Sequence, residues 1–498
     1  MTEEDRELLD RMFHPRGMAL FGGGGTIGSF GHLMIQSQIL YGYSGYLYPI
    51  SKKGGEVAGF KIYRRLSDVE GPVDLATVSV PAKAVPDILR ECQRHGVAGA
   101  QILSSGFTET GEADGLALEA EVAEIAAQGL RIVGPNCFGI HCTRGGITLL
   151  PGHHFSKEPG PVAMISQSGG VANDFGYEAQ YRGLRLSKVI SYGNGCDLDA
   201  TELLDYLMDD PETDTIAAYI EGVRNGSRFL DTLRRVTPKK PVVIWKAGLT
   251  PLGTRATLSH TGSMGGEDKI WKGALNQAGA VSVQGLEELM DALVALQYLN
   301  KRGKRIALLG GGGAIGVFSS DLASRWGLEV PSFSQETQKR LRAYFPTPGN
   351  SMANPLDTGT PALPCETLVA LAKEILTREP VDVLIIILLL RTLEGDLPIF
   401  FRMSGLEPPP RGSYLQGLLG GLCQLKKETG KDVVMVFDNK AYLHEDIEVE
   451  AVSRKMQEQY QNAGIAVYPS VERALRGISL SGRAQELGRQ ERRRTFIK

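Results

Sequence analysis

The chain has 498 residues, 42% of them hydrophobic and 22% charged, with a formal net charge of −3. That length holds about three domains of ordinary size, each able to bury a core, and the near-neutral balance excludes a general electrostatic affinity for nucleic acid or an anionic membrane. Six scattered cysteines with no CxxC pair exclude a disulfide framework and a cysteine zinc site, and they fit a reducing cytoplasm.

The first residues, Met1-Thr2-Glu3-Glu4-Asp5, are acidic and lack the apolar stretch of a signal peptide. An apolar strand is expected over Gly17 to Phe21, running into a glycine-rich turn, Gly22 to Gly28. Gly23, Gly25 and Gly28 match G-x-G-x-x-G, where missing Cβ atoms let the backbone turn tightly and approach a pyrophosphate at the start of the next helix. The match fits NAD, NADP, CoA or a plain structural turn. About 20 residues further on, an NAD binder places an acid for the ribose hydroxyls. Here the segment Tyr46 to Gly55 has no acid and carries Lys52 and Lys53, which suit a phosphorylated ribose or are plain surface lysines.

Strands are then expected over Leu75 to Pro81, Gly99 to Leu103 and Arg131 to Val133, separated by helices over Ala84 to Gln93 and Leu116 to Ala127. Such alternation predicts α/β domains with parallel sheets. The strand–glycine turn–helix pattern recurs at Pro161 to Gly170 and at Arg305 to Gly316. Punctuation at Ser156 to Pro161 and at Asn300 to Lys304 places domains near 1–145, 150–298 and 303–485. The run Val381 to Leu390 is too short to span a bilayer and reads as a buried parallel strand. A long insertion of unassigned role is expected over Arg391 to Gly420, and Glu491 to Arg494 reads as a solvated tail.

The sharpest constellation follows the strand Val242 to Gly248. There Ser259-His260-Thr261-Gly262-Ser263 sits in a loop with glycines on both sides. A neutral imidazole attacks phosphorus well when a carboxylate pins its other nitrogen. Glu221, ending the strand Ala217 to Gly222, is a candidate, and the hydroxyls of Ser259 and Thr261 can donate to phosphate oxygens. The turn Ser168-Gly169-Gly170 opens a helix whose free N–H groups favour an anion. A lone loop histidine is also often incidental. His153-His154 read as loop residues without a third metal ligand, so no metal site is expected. Cys137 reads as a buried or cavity-lining thiol, because no base is placed beside it, and Asp357 as a turn or interface residue.

In order along the chain, several motifs together resemble the NDP-forming acyl-CoA synthetase family, in particular the α subunits of ADP-forming acetyl-CoA synthetases, relatives of succinyl-CoA synthetase. They are Gly71-Pro72-Val73-Asp74-Leu75, Val80-Pro81, Ser104 to Glu109, Gly134-Pro135-Asn136-Cys137, Ser166-Gln167-Ser168-Gly169, Ile220-Glu221-Gly222, Ser259 to Ser263 and Asn354-Pro355-Leu356-Asp357. The resemblance implies a CoA-binding Rossmann-like domain followed by two flavodoxin-like domains. It implies that Gly23, Gly25, Gly28, Lys52, Val80, Pro81 and Ser105 hold CoA, with Asn136 near its thiol. It implies a phosphorylated His260 steered by Glu221, and phosphate binding by Ser168, Gly169, Gly170, Ser259, Thr261 and Gly262. By the same resemblance, ADP or ATP with Mg²⁺ sits on a separate ATP-grasp β subunit in an αβ or α2β2 assembly. The alternatives are a non-catalytic CoA-binding regulator and an NAD(P)-dependent oxidoreductase. The chain departs from family usage in its CoA contacts at Gly22 to Gly25 and at Ser51-Lys52, and the Gly310 to Gly313 run and the insertion after Leu390 mark a divergent subgroup whose acid need not be acetate.

Overall fold

A computed structural model describes the chain except residues 24–26, 256–267, 301–302, 346–349, 361–362 and 497–498. Two compact units divide it: Met1–Leu289 with Glu486–Lys498, and Met290–Gln485.

The first unit opens with helix α1, Glu3–Phe13, started by a reciprocal cap between Thr2 and Asp5. Its first sheet contains β1 Gly17–Phe21, β2 Tyr46–Ile50, β5 Leu75–Val78, β6 Gly99–Ile102 and β7 Arg131–Val133. A small hairpin, β3 Gly55–Val57 with β4 Phe60–Ile62, leads from β2 back toward β5. The sheet order is β2-β1-β5-β6-β7, all parallel. Helices α2 Phe30–Tyr41, α3 Val85–Arg94 and α4 Ala113–Ala126 make the crossovers. Apart from Tyr46 these strands are buried along their length, which is why they read as continuous apolar runs.

The second sheet of this unit runs β13-β12-β11-β9-β10-β8. Its strands are β8 Gly139–Cys142, β9 Pro159–Ser166, β10 Leu186–Ser191, β11 Thr215–Ile220, β12 Val242–Lys246 and β13 Val281–Val283. Helix α5, Gly169–Tyr181, follows β9; α6, Ala200–Asp209, and α7, Gly226–Val236, follow β10 and β11. Only β8 is antiparallel, paired with β10 through Gly139↔Ser191, so the chain enters this sheet before residue 145.

These features bear out the expected order of a Rossmann-like domain and a flavodoxin-like domain with parallel sheets. Both sheets have a reversal beside their central strands. In the first, the chain moves from β1 outward to β2 and then returns to β5 on the other side of β1; in the second, it moves from β9 to β10 and returns to β11. Such reversals open a crevice beyond the carboxyl ends of the strands, because the flanking helices diverge to opposite faces.

In the second unit, β14 Ile306–Gly310, β15 Val383–Leu389, β16 Asp432–Asp438 and β17 Ala466–Tyr468 form one parallel sheet in sequential order. The apolar run at Val381 to Leu390 contains β15, one of its two inner strands. The segment expected as an insertion is helical. A π-helical turn, Arg391–Asp396, continues into Leu397–Met403, and Ser413–Thr429 completes the crossover to β16. Asn354 is buried beside β14, accepting from the Leu308 N–H at 2.9 Å and donating to the Ile306 carbonyl at 2.8 Å, so it finishes the sheet edge as a strand would. Asp357 closes a turn by accepting from the Gly359 N–H at 2.8 Å.

Asp74 ties down the entry to β5. Its buried carboxylate accepts from Arg11 Nη2 at 2.9 Å, from Arg16 Nε at 2.8 Å and from the Arg16 backbone N–H at 3.0 Å. Burial alone raises this carboxyl, but the Arg16 and Arg11 hydrogen bonds outweigh it and hold the group at about 2. Its ionised form therefore contributes stability above the ordinary carboxylate pKa, and that contribution is lost as pH falls toward 2. Asp74→Ala is expected to cost about 2–3 kcal/mol in denaturant unfolding at pH 7, because both guanidiniums keep access to water. Much of that difference should vanish when the same melts are run in strong acid. Among the described residues, no helix is long and apolar enough to cross a membrane.

Candidate active site

The crevices of the two sheets in the first unit open into one cavity of about 600 Å³. From the first sheet come Ser79, Val80 and Pro81 after β5, Leu103, Ser104 and Ser105 after β6, Asn136, Cys137 and Phe138 after β7, and Phe30 at the start of α2. From the second come Gln167, Ser168, Gly169 and Gly170 between β9 and α5, and Gly193 and Asn194 after β10. A cavity of this size takes a small ligand or the reactive end of a long one.

Its two ends differ in chemistry. On the second-sheet side, Ser168 caps α5, its Oγ accepting from the Val171 N–H at 3.3 Å. The N–H groups of the first turn have no intrahelical acceptor, and they carry the positive end of the helix dipole. Neither α5 nor α2 has an acidic residue in its first turn, so nothing on the helix itself neutralises that pole. Gly169 is required by packing: a Cβ there would meet the Phe138 ring at 2.5 Å. Gly169→Val is accordingly expected to disrupt the helix start, seen as a lower midpoint in thermal melts.

On the first-sheet side, the loop after β7 holds Asn136 with φ +55°, its N–H donating to the Ser104 carbonyl at 2.9 Å. Ser104 in turn accepts from the Val80 N–H at 3.0 Å, joining the loops after β5, β6 and β7. Cys137 is fully enclosed, its thiol donating to the Ile102 carbonyl at 3.2 Å, and burial pushes it up to about 12. It is therefore a neutral thiol at physiological pH and an unfit nucleophile. Native chain treated with iodoacetamide at pH 8 should leave Cys137 unmodified, whereas unfolded chain should alkylate it fully.

The cavity thus gathers seven residues given a binding role from the sequence, Val80, Pro81, Ser105, Asn136, Ser168, Gly169 and Gly170. Glu221 lies just outside it. It directly follows β11 and is buried, and Gln167 connects it to the cavity: Gln167 Oε1 accepts from the Glu221 N–H at 2.9 Å and the Gly222 N–H at 3.1 Å. Tyr219 donates its hydroxyl to Glu221 Oε1 at 3.1 Å. Lys246, ending β12, donates to the Glu221 carbonyl at 2.7 Å and stands over the Trp271 ring at 4.8 Å. Burial lowers its ammonium to about 8, partly offset by the Glu221 charge.

Gly23 and Gly28 lie in the turn after β1, Gly28 with φ +88°. Gly25 lies outside the described residues, as do Ser259, His260, Thr261 and Gly262. Lys52 is exposed in the turn after β2 and does not line the cavity. Sequence reasoning missed Gly31, where a Cβ would stand 2.3 Å from the Gly22 carbonyl oxygen, so this glycine lets α2 close on the turn. It also missed Phe30, Phe138 and Asn194. Asn194 carried a signal, a Gly-Asn-Gly run over Gly193 to Gly195 shortly after β10.

His153 and His154 lie in a short 3₁₀ helix, Gly152–His154, rather than in a loop; His154 stacks on Tyr177, and burial lowers it to about 4. His14, Cys142 and Glu212 cluster elsewhere, but Lys188 already neutralises Glu212 at 2.7 Å.

Comparison with known proteins finds two family models on this chain. One, described as a CoA binding domain, matches residues 16–143; the other, a succinyl-CoA ligase like flavodoxin domain, matches residues 159–296. The α subunit of acetate–CoA ligase [ADP-forming] II from Pyrococcus furiosus is 36% identical over 392 residues, covering 78% of this chain and 84% of that one. Acetate–CoA ligase [ADP-forming] I from Archaeoglobus fulgidus is 35% identical over 70% of this chain, which spans 50% of that longer protein. Among solved structures, the dinucleotide forming acetyl-coenzyme A synthetase 1 of Ca. Korarchaeum cryptofilum, in complex with phosphate and ADP, aligns with a TM-score of 0.80. It is 29% identical and covers 98% of each chain.

Proposed function

The chain belongs to the family of ADP-forming acetate–CoA ligase α subunits, and from that premise we propose that it interconverts acyl-CoA, phosphate and ADP with carboxylic acid, CoA and ATP through a phosphohistidine at His260. Three reversible steps balance the reaction. Phosphate attacks the thioester carbonyl, the C–S bond breaks, and acyl phosphate and CoA form. His260 then takes the phosphoryl group as the P–O bond to the acyl group breaks, releasing the carboxylate. The phosphoryl group finally passes from His260 to ADP.

The observation that carries this reading is the shared cavity, with Asn136, Val80, Pro81 and Ser105 at one end and the start of α5 at the other. A thioester held by the first group presents its carbonyl to phosphate held by Ser168, Gly169 and Gly170. The glycine turn with Gly23, Gly25 and Gly28, together with Lys52, takes the nucleotide end of CoA. In this account Glu221 orients His260, and Ser259, Thr261 and Gly262 accompany the phosphoryl group. Nucleotide and Mg²⁺ belong to an ATP-grasp β subunit, in an αβ or α2β2 assembly working in the cytoplasm. Relatives named as α subunits and longer single-chain relatives, of which this chain spans about half, support a partner of that kind. The domains proposed are 1–145, 150–298 and 303–485.

The test is reconstitution. The chain with its ATP-grasp partner, given acyl-CoA, phosphate, ADP and Mg²⁺, should make ATP, and neither polypeptide should do so alone. CoA binding without ATP formation across a panel of acyl-CoAs would favour a regulatory CoA-binding protein instead.

A further inference from the structure

Two asparagines line the cavity from opposite sheets, Asn136 after β7 and Asn194 after β10. The backbone presses them together. Asn194 donates its N–H to the Pro135 carbonyl at 3.0 Å, and a Cβ on Gly193 would stand 2.3 Å from the Asn136 carbonyl oxygen.

The orientation of the Asn194 amide is dictated by what lies behind it. Its Nδ2 is 2.7 Å from Glu109 Oε2, 2.8 Å from Glu119 Oε2 and 3.1 Å from Thr108 Oγ1. Thr108 spends its own proton on Glu119 at 2.7 Å, so it meets Asn194 as an acceptor. Burial raises Glu109, but hydrogen bonds from Asn194 and from the Gly106 and Phe107 N–H groups overcome that and lower it, so it is ionised at neutral pH. Ionised carboxylates only accept. The amide nitrogen of Asn194 must face the acids, and its Oδ1 must face Asn136. Asn136 answers with its own nitrogen, Nδ2 to Oδ1 at 3.4 Å. The opposite polarity would set oxygen against oxygen. That leaves Asn136 its second N–H and its Oδ1, and the Oδ1 is the acceptor it brings to the cavity.

We infer that Asn194 is a positioning residue: anchored by Glu109, Glu119 and Thr108, it fixes the Asn136 amide so that a carbonyl oxygen receives a hydrogen bond from the thiol arm of CoA. Two donors on that arm fit, the S–H and the neighbouring amide N–H. The inference rests on the reading of this cavity as the CoA thiol site.

The experiment is calorimetric titration of CoA and of desulfo-CoA, which lacks the S–H, into the full chain. Asn194→Ala and Asn136→Ala should each weaken CoA about tenfold, the value of one buried hydrogen bond. The double variant should be no weaker than either single, because both remove the same bond. Additive losses, about a hundredfold in the double variant, or unchanged affinity in Asn194→Ala would overturn the inference. Asn136→Asp covers the case in which Asn194→Ala fails to fold. It keeps the shape and swaps the donor for an oxygen facing Asn194 Oδ1, so about tenfold weaker CoA binding at pH 8 is expected, and wild-type affinity would again overturn the inference. Desulfo-CoA separates the donors. If the S–H is bound, it binds the wild-type chain about tenfold more weakly than CoA and the Asn136→Ala chain equally well. If the amide is bound, the two ligands match on every variant. Failure of the wild-type chain to bind CoA at all would remove the reading of the cavity, a result distinct from additivity among variants.

Discussion

Asparagine in place of His260 should lower acyl-CoA-driven ATP synthesis by the reconstituted complex at least about 10⁴-fold. Asparagine approximates the size of the imidazole but has no ring lone pair to attack phosphorus. In the proposed relay His260 is the one acceptor between acyl phosphate and nucleotide, so no parallel route would rescue turnover. The proposal also sets the exchange of acyl-CoA with phosphate before the histidine, so release of CoA from acyl-CoA in a first turnover should survive. A coupled assay for ATP and a thiol assay for CoA, run side by side, separate the two steps. Full ATP synthesis by the His260→Asn complex would remove the relay.

Glu221→Gln is expected to have the next largest effect, about 10³-fold on the histidine-dependent steps. The side chain is buried at the carboxyl end of β11, with Tyr219 donating to one oxygen and Gln167 clasping its backbone N–H and that of Gly222. Glutamine preserves that shape and removes the charge that fixes an imidazole's tautomer and stabilises its cationic, phosphorylated form. The measurement is the rate of phosphate appearance on His260, with CoA release followed in parallel. Equal slowing of both would show a general structural defect, whereas slowing of phosphorylation alone supports the orienting role.

Much of the fold was legible because parallel strands buried on both faces leave unmistakable runs. Gly17 to Phe21 and Arg131 to Val133 appear with the expected bounds, and the apolar stretch around Ile385 is an inner strand of its sheet. The order of strands within a sheet was not legible, since no local pattern records which neighbour a strand pairs with. For that reason the sequence showed the glycine-rich turns but not that two sheet reversals open into one cavity. β8 escaped notice for a related reason: four residues, Gly139 to Cys142, gain strand identity only from β10 beside them.

The same limit applies to the site. Ser168 and Gly169 were visible as a helix start and Glu221 as a strand end, because each is a local signature. Asn194 and Gln167 act through partners far away in sequence, Glu109 and Glu119 for the first and Glu221 for the second. Lys52 shows the converse. Its place just after β2 is a local feature, but that it stands in an exposed turn outside the cavity is set by the packing of the sheets.

The most direct measurement is to incubate the chain with acyl-CoA and radioactive phosphate, without nucleotide, and to follow label on the protein. The account predicts about one phosphate per chain, stable in base and labile in acid, mapped by mass spectrometry to His260, and chased into ATP when the ATP-grasp partner and ADP are added. An unlabelled chain that nonetheless supports ATP synthesis, or label on any residue other than His260, would contradict it.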